Sequence, residues 1–536
     1  MRIHRRALGA RQMARRPALR ALVAVAACAL IAAATVPTPA RADASGPGLS
    51  ANQRAVLLQI ARDTWRFFGA DVDPVTHLPL DNLRPGGIRG AYTSAANIGV
   101  YLWAVVAARD LGLIGSAQAQ SMAAATLWEV STLKRFDGFL YQWYDTANGN
   151  VLSNPGQPDC SETTPSQDNC WFVSAVDNGW YASGLIEVRQ ALPQLRGLAD
   201  QLLAPMNFSI FYDNRAQTAC NTNPAVTGNQ PTGQMYGGYY VDQGPAGYHN
   251  GALYSDPRIA IYIGMGLHQM PGDVWWRTWR TLPPRQCPTD PDFSWQGQWP
   301  VAGCWQTYTD PQSGKTFNVW EGHYTYPGTS LTFVPTYAGG MFEGLMANLV
   351  VPETTWGPHS FGLNDLRWAQ VQENYATQVL HYSVWGMSPS STPDDTGNYT
   401  GYGVEGLAFP KGEGVEGLAF PKDEGLAQCT TCATEDTVTP HASVIVLPVL
   451  PQDAYANIEA LLARYPGIYS SDGGFYDAVS PSTGSIGHRR LVLDQSMIMA
   501  ALDDALNGGA LQRYFALDPI SWAARLYLSD ERMSIH

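Results

Sequence analysis

Short clusters that join a carboxylate to an aromatic ring, a glycine or an amide recur along this 536-residue chain. They are Trp143-Tyr144-Asp145, Val176-Asp177-Asn178-Gly179-Trp180, Tyr254-Ser255-Asp256, Trp320-Glu321-Gly322-His323-Tyr324, Met341-Phe342-Glu343 and Leu493-Asp494-Gln495. Aromatic faces stack on the apolar faces of sugar rings, and a pair of carboxylates is what glycosidic cleavage requires. Each cluster also has an ordinary reading, in which the ring fills a core and the acid caps a helix or closes a turn. Other chemistries lack their residues. There is no glycine-rich phosphate loop, no His-Glu-x-x-His pair and no Gly-x-Ser-x-Gly elbow, and none of the ten histidines pairs with another at i+3 or i+4. The expectation is a reaction run by carboxylates, with no cofactor and no metal.

The elements that would position these acids are helices. Leu57, Ile60, Ala61, Thr64, Trp65 and Phe68 follow the i, i+3, i+4, i+7 spacing, as do Ile98, Tyr101, Leu102 and Val105, and again Ile498, Ala501, Leu502 and Ala505. Similar stretches over 117–135, 175–192, 196–206, 257–269, 272–281, 340–350, 364–382, 441–463 and 519–528 bring the total to about a dozen helices. The joining loops are rich in Gly, Pro, Tyr and Trp, and no run of alternating strands is long enough for a sandwich or barrel. With no linker between domains, this predicts one all-α domain over 51–536, an α/α toroid of paired helices around a central cleft.

Residues 1–42 read as a secretory signal peptide and 43–50 as a short N-terminal segment. Arg2, Arg5, Arg6, Arg11, Arg15, Arg16 and Arg20 precede the apolar run 21–36, and Ala40-Arg41-Ala42 supplies the cleavage pattern. The run is shorter than the ~20 residues of a spanning helix. The alternative is Val25-Ala26-Ala27-Cys28, which matches a lipoprotein cleavage box. Eight of the 33 basic residues lie in 1–42, so the remainder carries 25 bases against 46 acids. Such a chain repels phosphate backbones and anionic membranes, which excludes nucleic acid and membrane as partners. Cys160/Cys170, Cys287/Cys304 and Cys429/Cys432 are close pairs in polar loops and are expected as disulfides. A zinc site at Cys429-x-x-Cys432 would need a second ligand pair, which His441 alone does not supply. The stretch 403–413 repeats at 414–424 with one change, Gly412 to Asp423, and reads as a duplicated loop.

Thr93-Ser94-Ala95-Ala96-Asn97-Ile98-Gly99 and Ala107-Ala108-Arg109-Asp110-Leu111-Gly112 resemble the opening of the glucoamylase-like domain of endo-β-1,2-glucanases (glycoside hydrolase family 144 and relatives) and cyclic β-1,2-glucan synthases. Further matching stretches follow in the family's order over about residues 51–515. They are Tyr141–Thr146, Val173–Gly179, Met341–Met346, Trp385-Gly386-Met387-Ser388, Gly403–Leu407, Gly474-Phe475-Tyr476-Asp477-Ala478 and Leu493-Asp494-Gln495. The resemblance implies an (α/α)6 barrel. It also implies roles: a general acid in a small–acid–small–Arg stretch, where Ser255-Asp256-Pro257-Arg258 has Asp in place of the usual Glu, and a base at Asp494. The nucleophile of the transglycosylating members would fall in Ser388-Pro389-Ser390, which holds no carboxylate before Asp394 and Asp395. The departure implies water as acceptor and hydrolysis with inversion.

Pro257 fits the first helical position, which makes Asp256 a helix N-cap. An N-cap carboxylate has a lowered pKa, the reverse of what a general acid needs, so Glu343 and Glu321 stand in reserve. Asp145 and Asp177 are candidates to bind sugar hydroxyls, with Gln495, and Trp143, Trp180, Tyr254, Tyr324, Trp385 and Tyr476 are the candidate stacking rings. The expectation is an exported, monomeric, endo-acting glycoside hydrolase on a neutral polysaccharide or oligosaccharide, first of all β-1,2-glucan. The alternatives are another glycosidase of the same barrel, on α-glucan or a cell-wall glycan, and a glycan-binding protein whose catalytic pair has decayed.

Overall fold

The computed structural model describes residues 48–161, 170–218, 229–231, 233–281, 302–326, 328–336, 339–404 and 436–535. The signal-peptide segment, most of the repeat at 403–424, and Cys220, Cys287, Cys429 and Cys432 lie outside the described residues. Fifteen α-helices occur among them. In chain order they begin with α1 (Ala51–Asp71), α2 (Ala95–Asp110), α3 (Ser116–Thr132), α4 (Ala175–Ala191) and α5 (Arg196–Leu203). Next come α6 (Arg258–Gly266), α7 (Asp273–Arg277), α8 (Met341–Leu345), α9 (Glu353–Trp356) and α10 (Phe361–Asn374). The series ends with α11 (Pro440–Val444), α12 (Pro451–Arg464), α13 (Val492–Asn507), α14 (Ala510–Leu517) and α15 (Trp522–Asp530). None of the described helices is long and apolar enough to cross a membrane.

Two kinds of helix divide the work. In α2, α4 and α13 nearly every residue is buried, as expected of helices apolar all round, and they pack side by side with α2 in the middle. The α2–α4 crossing is close because Gly99 and Gly184 face each other: a Cβ on Gly184 would stand 2.4 Å from the Gly99 carbonyl oxygen. The short α6, α7 and α11 are buried throughout as well, whereas α1, α3, α5, α12 and α15 are one-sided. In α1, Leu57, Ile60, Ala61, Thr64 and Phe68 are buried, matching the predicted face, and Ser50 and Gln53 form a reciprocal capping box at its start. These one-sided helices lie outside the buried ones: α1 on α13, α3 on α2, α5 on α4, α15 on α6, α12 on α11.

Three sequence expectations need adjustment. The helix predicted over 441–463 is two helices, α11 and α12, because Pro448 and Pro451 interrupt the ladder. The stretch 340–350 is the short α8 followed by a 3-10 turn, Ala347–Leu349. Beyond the helices, Ala302–Thr309 and Thr316–Thr325 form an antiparallel hairpin extended by Thr332–Phe333. Its second strand buries Phe317, Val319 and Glu321 on one face, the period-two pattern of a half-buried strand. Cys160 and Cys170 are joined as expected, with their Cα atoms 5.8 Å apart. Cys304, exposed and paired opposite Glu321 in the hairpin ladder, is a free cysteine, and Cys287, its expected partner, lies outside the described residues.

Candidate active site

Asp256 lies in the turn that feeds α6, and it does not cap that helix. The residue before the first turn is Pro257, with helical dihedrals and no side-chain cap. The first helical N–H groups instead find main-chain oxygens, Arg258 N donating to Ser255 O (3.2 Å) and Ile259 N to Asp256 O (3.3 Å). Released from capping, the Asp256 carboxylate is held by the Ser255 hydroxyl (3.3 Å) and the Trp180 side chain. Burial, and then the negative charge of Asp177, push its pKa up to about 6. The lowered value expected of an N-cap is therefore reversed, and the group suits an acid that must hold its proton.

Two further acids lie within electrostatic reach of it. Asp177 opens α4, its N–H donating to Ser174 Oγ (3.2 Å) and its carboxylate accepting from Gln142 Nε2 (3.1 Å). Glu343, in the first turn of α8, is buried, and burial and then Asp256 raise it well above the ordinary range. A Cβ on Gly340 would fall 2.1 Å from Glu343 Oε2, so only glycine admits the carboxyl there. Arg258 ties this group together from below. Its guanidinium grips Glu353 with two 2.8 Å bonds and donates to the carbonyls of Ser255 (2.9 Å) and Glu343 (3.1 Å), the segments that carry two of the three acids.

A second group gathers at the start of α13. Asp494 is 1% exposed and shares a side-chain hydrogen bond with Asp477. Burial and the adjacent Asp477 raise its pKa well above the ordinary range, and Asp477 is raised by burial as well. Asp477 Oδ2 accepts the Ser391 N–H (2.6 Å), and His441 Nδ1 lies 3.6 Å from Asp494 Oδ2. Burial pushes the His441 ring down to about 3, leaving it neutral. Asp81, accepting from Asn82 and Asn97 (2.8 and 2.9 Å), is joined to this helix start through Val492 N–H on its main-chain oxygen (2.9 Å). Tyr399 couples the two groups. Its side chain is 45% exposed, and burial together with the charges of Asp494, Asp477, Glu343 and Asp81 raises its phenol pKa.

The other expected site residues are spread more widely, with Trp180 remaining beside Asp256. Glu321 belongs to a separate buried cluster, accepting from Tyr308 Oη (2.9 Å) beside Arg280 (3.9 Å) and raised to about 8 by burial and Glu531. Asp145 closes a turn by accepting the Ala147 N–H (2.7 Å). Trp180, Tyr254, Tyr324 and Trp385 are buried: Trp180 packs edge-on to Trp103, and Tyr254 donates to Asp365 (2.8 Å). Gln495 is buried too, donating to Phe475 O (3.1 Å). Trp143 and Tyr476 are half-buried, the first against Tyr92 and the second under Arg490.

Asp81, His441, Asp477 and Tyr399 were not anticipated. Asp477 had a signal, standing inside the Gly474–Ala478 stretch. Asp81, His441 and Tyr399 had none, since each acquires its place through pairings remote in sequence. Among the described residues, the one set of three side chains whose donor atoms all lie within 4.8 Å of one another is His441, Asp477 and Asp494.

Residues 307–518 match the family model described as "Putative glucoamylase", and residues 59–246 match one described as a protein of unknown function, DUF3131. The cyclic β-(1,2)-glucan synthase NdvB of Rhizobium meliloti (strain 1021) is 34% identical over 135 residues, 25% of this chain and 4% of that protein. Solved structures share the fold at low identity. The endo-β-1,2-glucanase of Chitinophaga pinensis, in complex with sophorotriose and glucose, superposes with a TM-score of 0.59 at 16% identity over 90% of this chain and 99% of that one. The endo-β-1,2-glucanase of Talaromyces funiculosus, in complex with sophorose, gives 0.55 at 13% identity over 89% and 91%.

Proposed function

We propose that this chain is an exported, endo-acting glycoside hydrolase that cleaves β-1,2-glucan, its paired helices closing as an (α/α)6 barrel. The observation that carries the reading is the pair of buried carboxylate groups, Asp177/Asp256/Glu343 and Asp81/Asp477/Asp494, with Asp256 beside Ser255 Oγ (3.3 Å) and Asp494 beside His441 (3.6 Å). A glycosidase needs one carboxyl that keeps its proton and one that accepts a proton from water. Asp256 is the acid in this scheme, donating to the glycosidic oxygen. Asp494 is the base in the form of the Asp477/Asp494 pair whose shared proton lies on Asp477, taking a proton from the water that attacks the anomeric carbon. The glucanases that share the fold, and the oligosaccharides of those complexes, support glucan as the substrate.

Inversion is the proposed stereochemistry, with acid and base ~6.5–9.5 Å apart to admit water. The loop that would carry a nucleophile is otherwise engaged, which supports this. Asp394 is exposed and accepts from the Thr396 N–H and hydroxyl (3.2 and 2.8 Å), while Asp395 accepts the His488 N–H (2.8 Å). The purified protein, incubated with a panel of linkage-defined glucans, should release β-1,2-linked oligosaccharides that first appear in the α configuration by NMR. Binding without any new reducing ends would leave a glycan-binding protein, and a β product would overturn inversion. Export predicts a mature N-terminus at Asp43 in the medium; a lipid-modified Cys28 would overturn free secretion.

A further inference from the structure

We propose that His441, Asp477 and Asp494 form a binding site for a borderline divalent cation of the zinc type, and that its occupation takes the base out of service. This rests on the reading of Asp494 as that base. The three side chains are 1%, 2% and 1% exposed, and their donor atoms lie within 4.8 Å of one another. Among the described residues, neither ring nitrogen of His441 has a hydrogen-bond partner, and the side chains of Asp477 and Asp494 hydrogen-bond to each other. A buried imidazole with neither nitrogen satisfied is costly, and here it is aimed at a carboxylate 3.6 Å away.

Distant segments set this geometry. Val438 and Val479 exchange two main-chain hydrogen bonds of 2.9 Å, fastening the strand after Asp477 to the residues before His441. The Ser391 N–H on Asp477 Oδ2 orients that carboxylate and leaves Oδ1 toward the others. Such an outer bond is how proteins aim metal-binding carboxylates.

The donor set selects the cation. One imidazole nitrogen and two carboxylate oxygens suit zinc and its neighbours, whereas calcium asks for six to eight oxygens and magnesium for an octahedron of oxygens. Zinc bonds of ~2.0–2.1 Å put tetrahedral ligand atoms ~3.4 Å apart, close to the 3.6 Å between His441 and Asp494. The fourth position would take water. With its carboxylate bound to a cation, Asp494 could no longer accept the proton of an attacking water.

Calorimetric titration of the protein with ZnCl2 in chelator-free buffer, with CaCl2 as control, tests the site. The expected result is a one-to-one zinc isotherm and none for calcium, with the zinc isotherm lost in Asp477→Asn and in His441→Gln. CoCl2 added to the wild-type protein should give the intense visible absorption of tetrahedral cobalt, a readout independent of whether either variant folds. Hydrolysis of β-1,2-glucan should be suppressed by zinc and recovered with EDTA. No zinc isotherm in the wild-type protein, an isotherm unchanged in both variants, or a weak octahedral cobalt spectrum would overturn the site. Zinc binding that leaves hydrolysis intact or raises it would overturn the blocking role. A zinc site present in a protein that hydrolyses no glucan would bring down the catalytic reading and leave the site standing.

Discussion

Asp256 and Glu343 are both carboxyls in near-identical chemical guises, and the difference between them is exposure. Asp256 is half-buried at the turn before α6, with a pKa near 6, while Glu343 is sealed in and raised well beyond that. An acid with a pKa near working pH donates best, which favours Asp256. Asp256→Asn and Asp494→Asn should each lower kcat by ~10²–10⁴-fold while circular dichroism melting stays near that of the wild type. Asp256→Glu should retain activity. Full activity in Asp256→Asn would move the proton to Glu343. The pH profile offers a finer check, because Asp177 is the charge that helps raise Asp256. Activity should fall as pH rises through about 6, and in Asp177→Asn that fall should move to lower pH. An unmoved alkaline limb would separate Asp177 from the acid.

Elements bring these groups together through a few contacts that tolerate little change. Arg258 is the main one, since a single guanidinium reaches Glu353 and the carbonyls of Ser255 and Glu343. Arg258→Met would leave Glu353 buried without its partner and should cost about 3–5 kcal/mol by chemical denaturation. A loss below ~1 kcal/mol would mean that water or a neighbour satisfies Glu353. At the α2–α4 crossing, Gly184→Ala should cost about 1–3 kcal/mol through overpacking, because the Gly99 backbone it meets belongs to a helix buried on both sides. The Cys160–Cys170 bridge closes a 10-residue loop, and Cys160→Ser should cost about 2–3 kcal/mol.

Among the described residues, buried carboxylates outnumber the buried cations that could answer them. Burial raises Asp71, Asp81, Asp177, Glu187, Asp256, Glu343, Asp365, Asp494 and Asp504, and lifts Asp503 and Glu321 to about 8. Fewer are lowered, among them Asp213 and Asp310. A carboxyl whose folded pKa exceeds its unfolded value binds more protons in the folded state. Its contribution is intact below the unfolded pKa and is lost as pH rises toward the folded one. The melting temperature should therefore be highest near pH 4–5 and decline toward pH 8, the opposite of proteins held by salt-bridged acids. A melting temperature that rises steadily over that range would show that these groups ionise in the folded state without penalty.

Local pattern was enough for much of this. The spacing of Leu57 to Phe68 yields the buried face of α1, the same spacing over Ile98 to Val105 and Ile498 to Ala505 yields α2 and α13, and the Cys160/Cys170 interval yields its disulfide. These depend on neighbours within a few residues, so a linear reading reaches them. It also reached Asp256, Glu343 and Asp494, whose motifs are contiguous. Tertiary structure alone decided what those residues are. It took Asp256 off the helix cap, placed Glu321 in another cluster with Arg280, and buried Trp180, Tyr254 and Trp385. It also assembled Asp81, Tyr399, His441 and Asp477 around Asp494 through the Asp81–Val492 and Val438–Val479 main-chain pairs. The physical reason is that a carboxyl's proton affinity and a ring's accessibility depend on what surrounds them in space, and most of those surroundings come from segments far away in the chain.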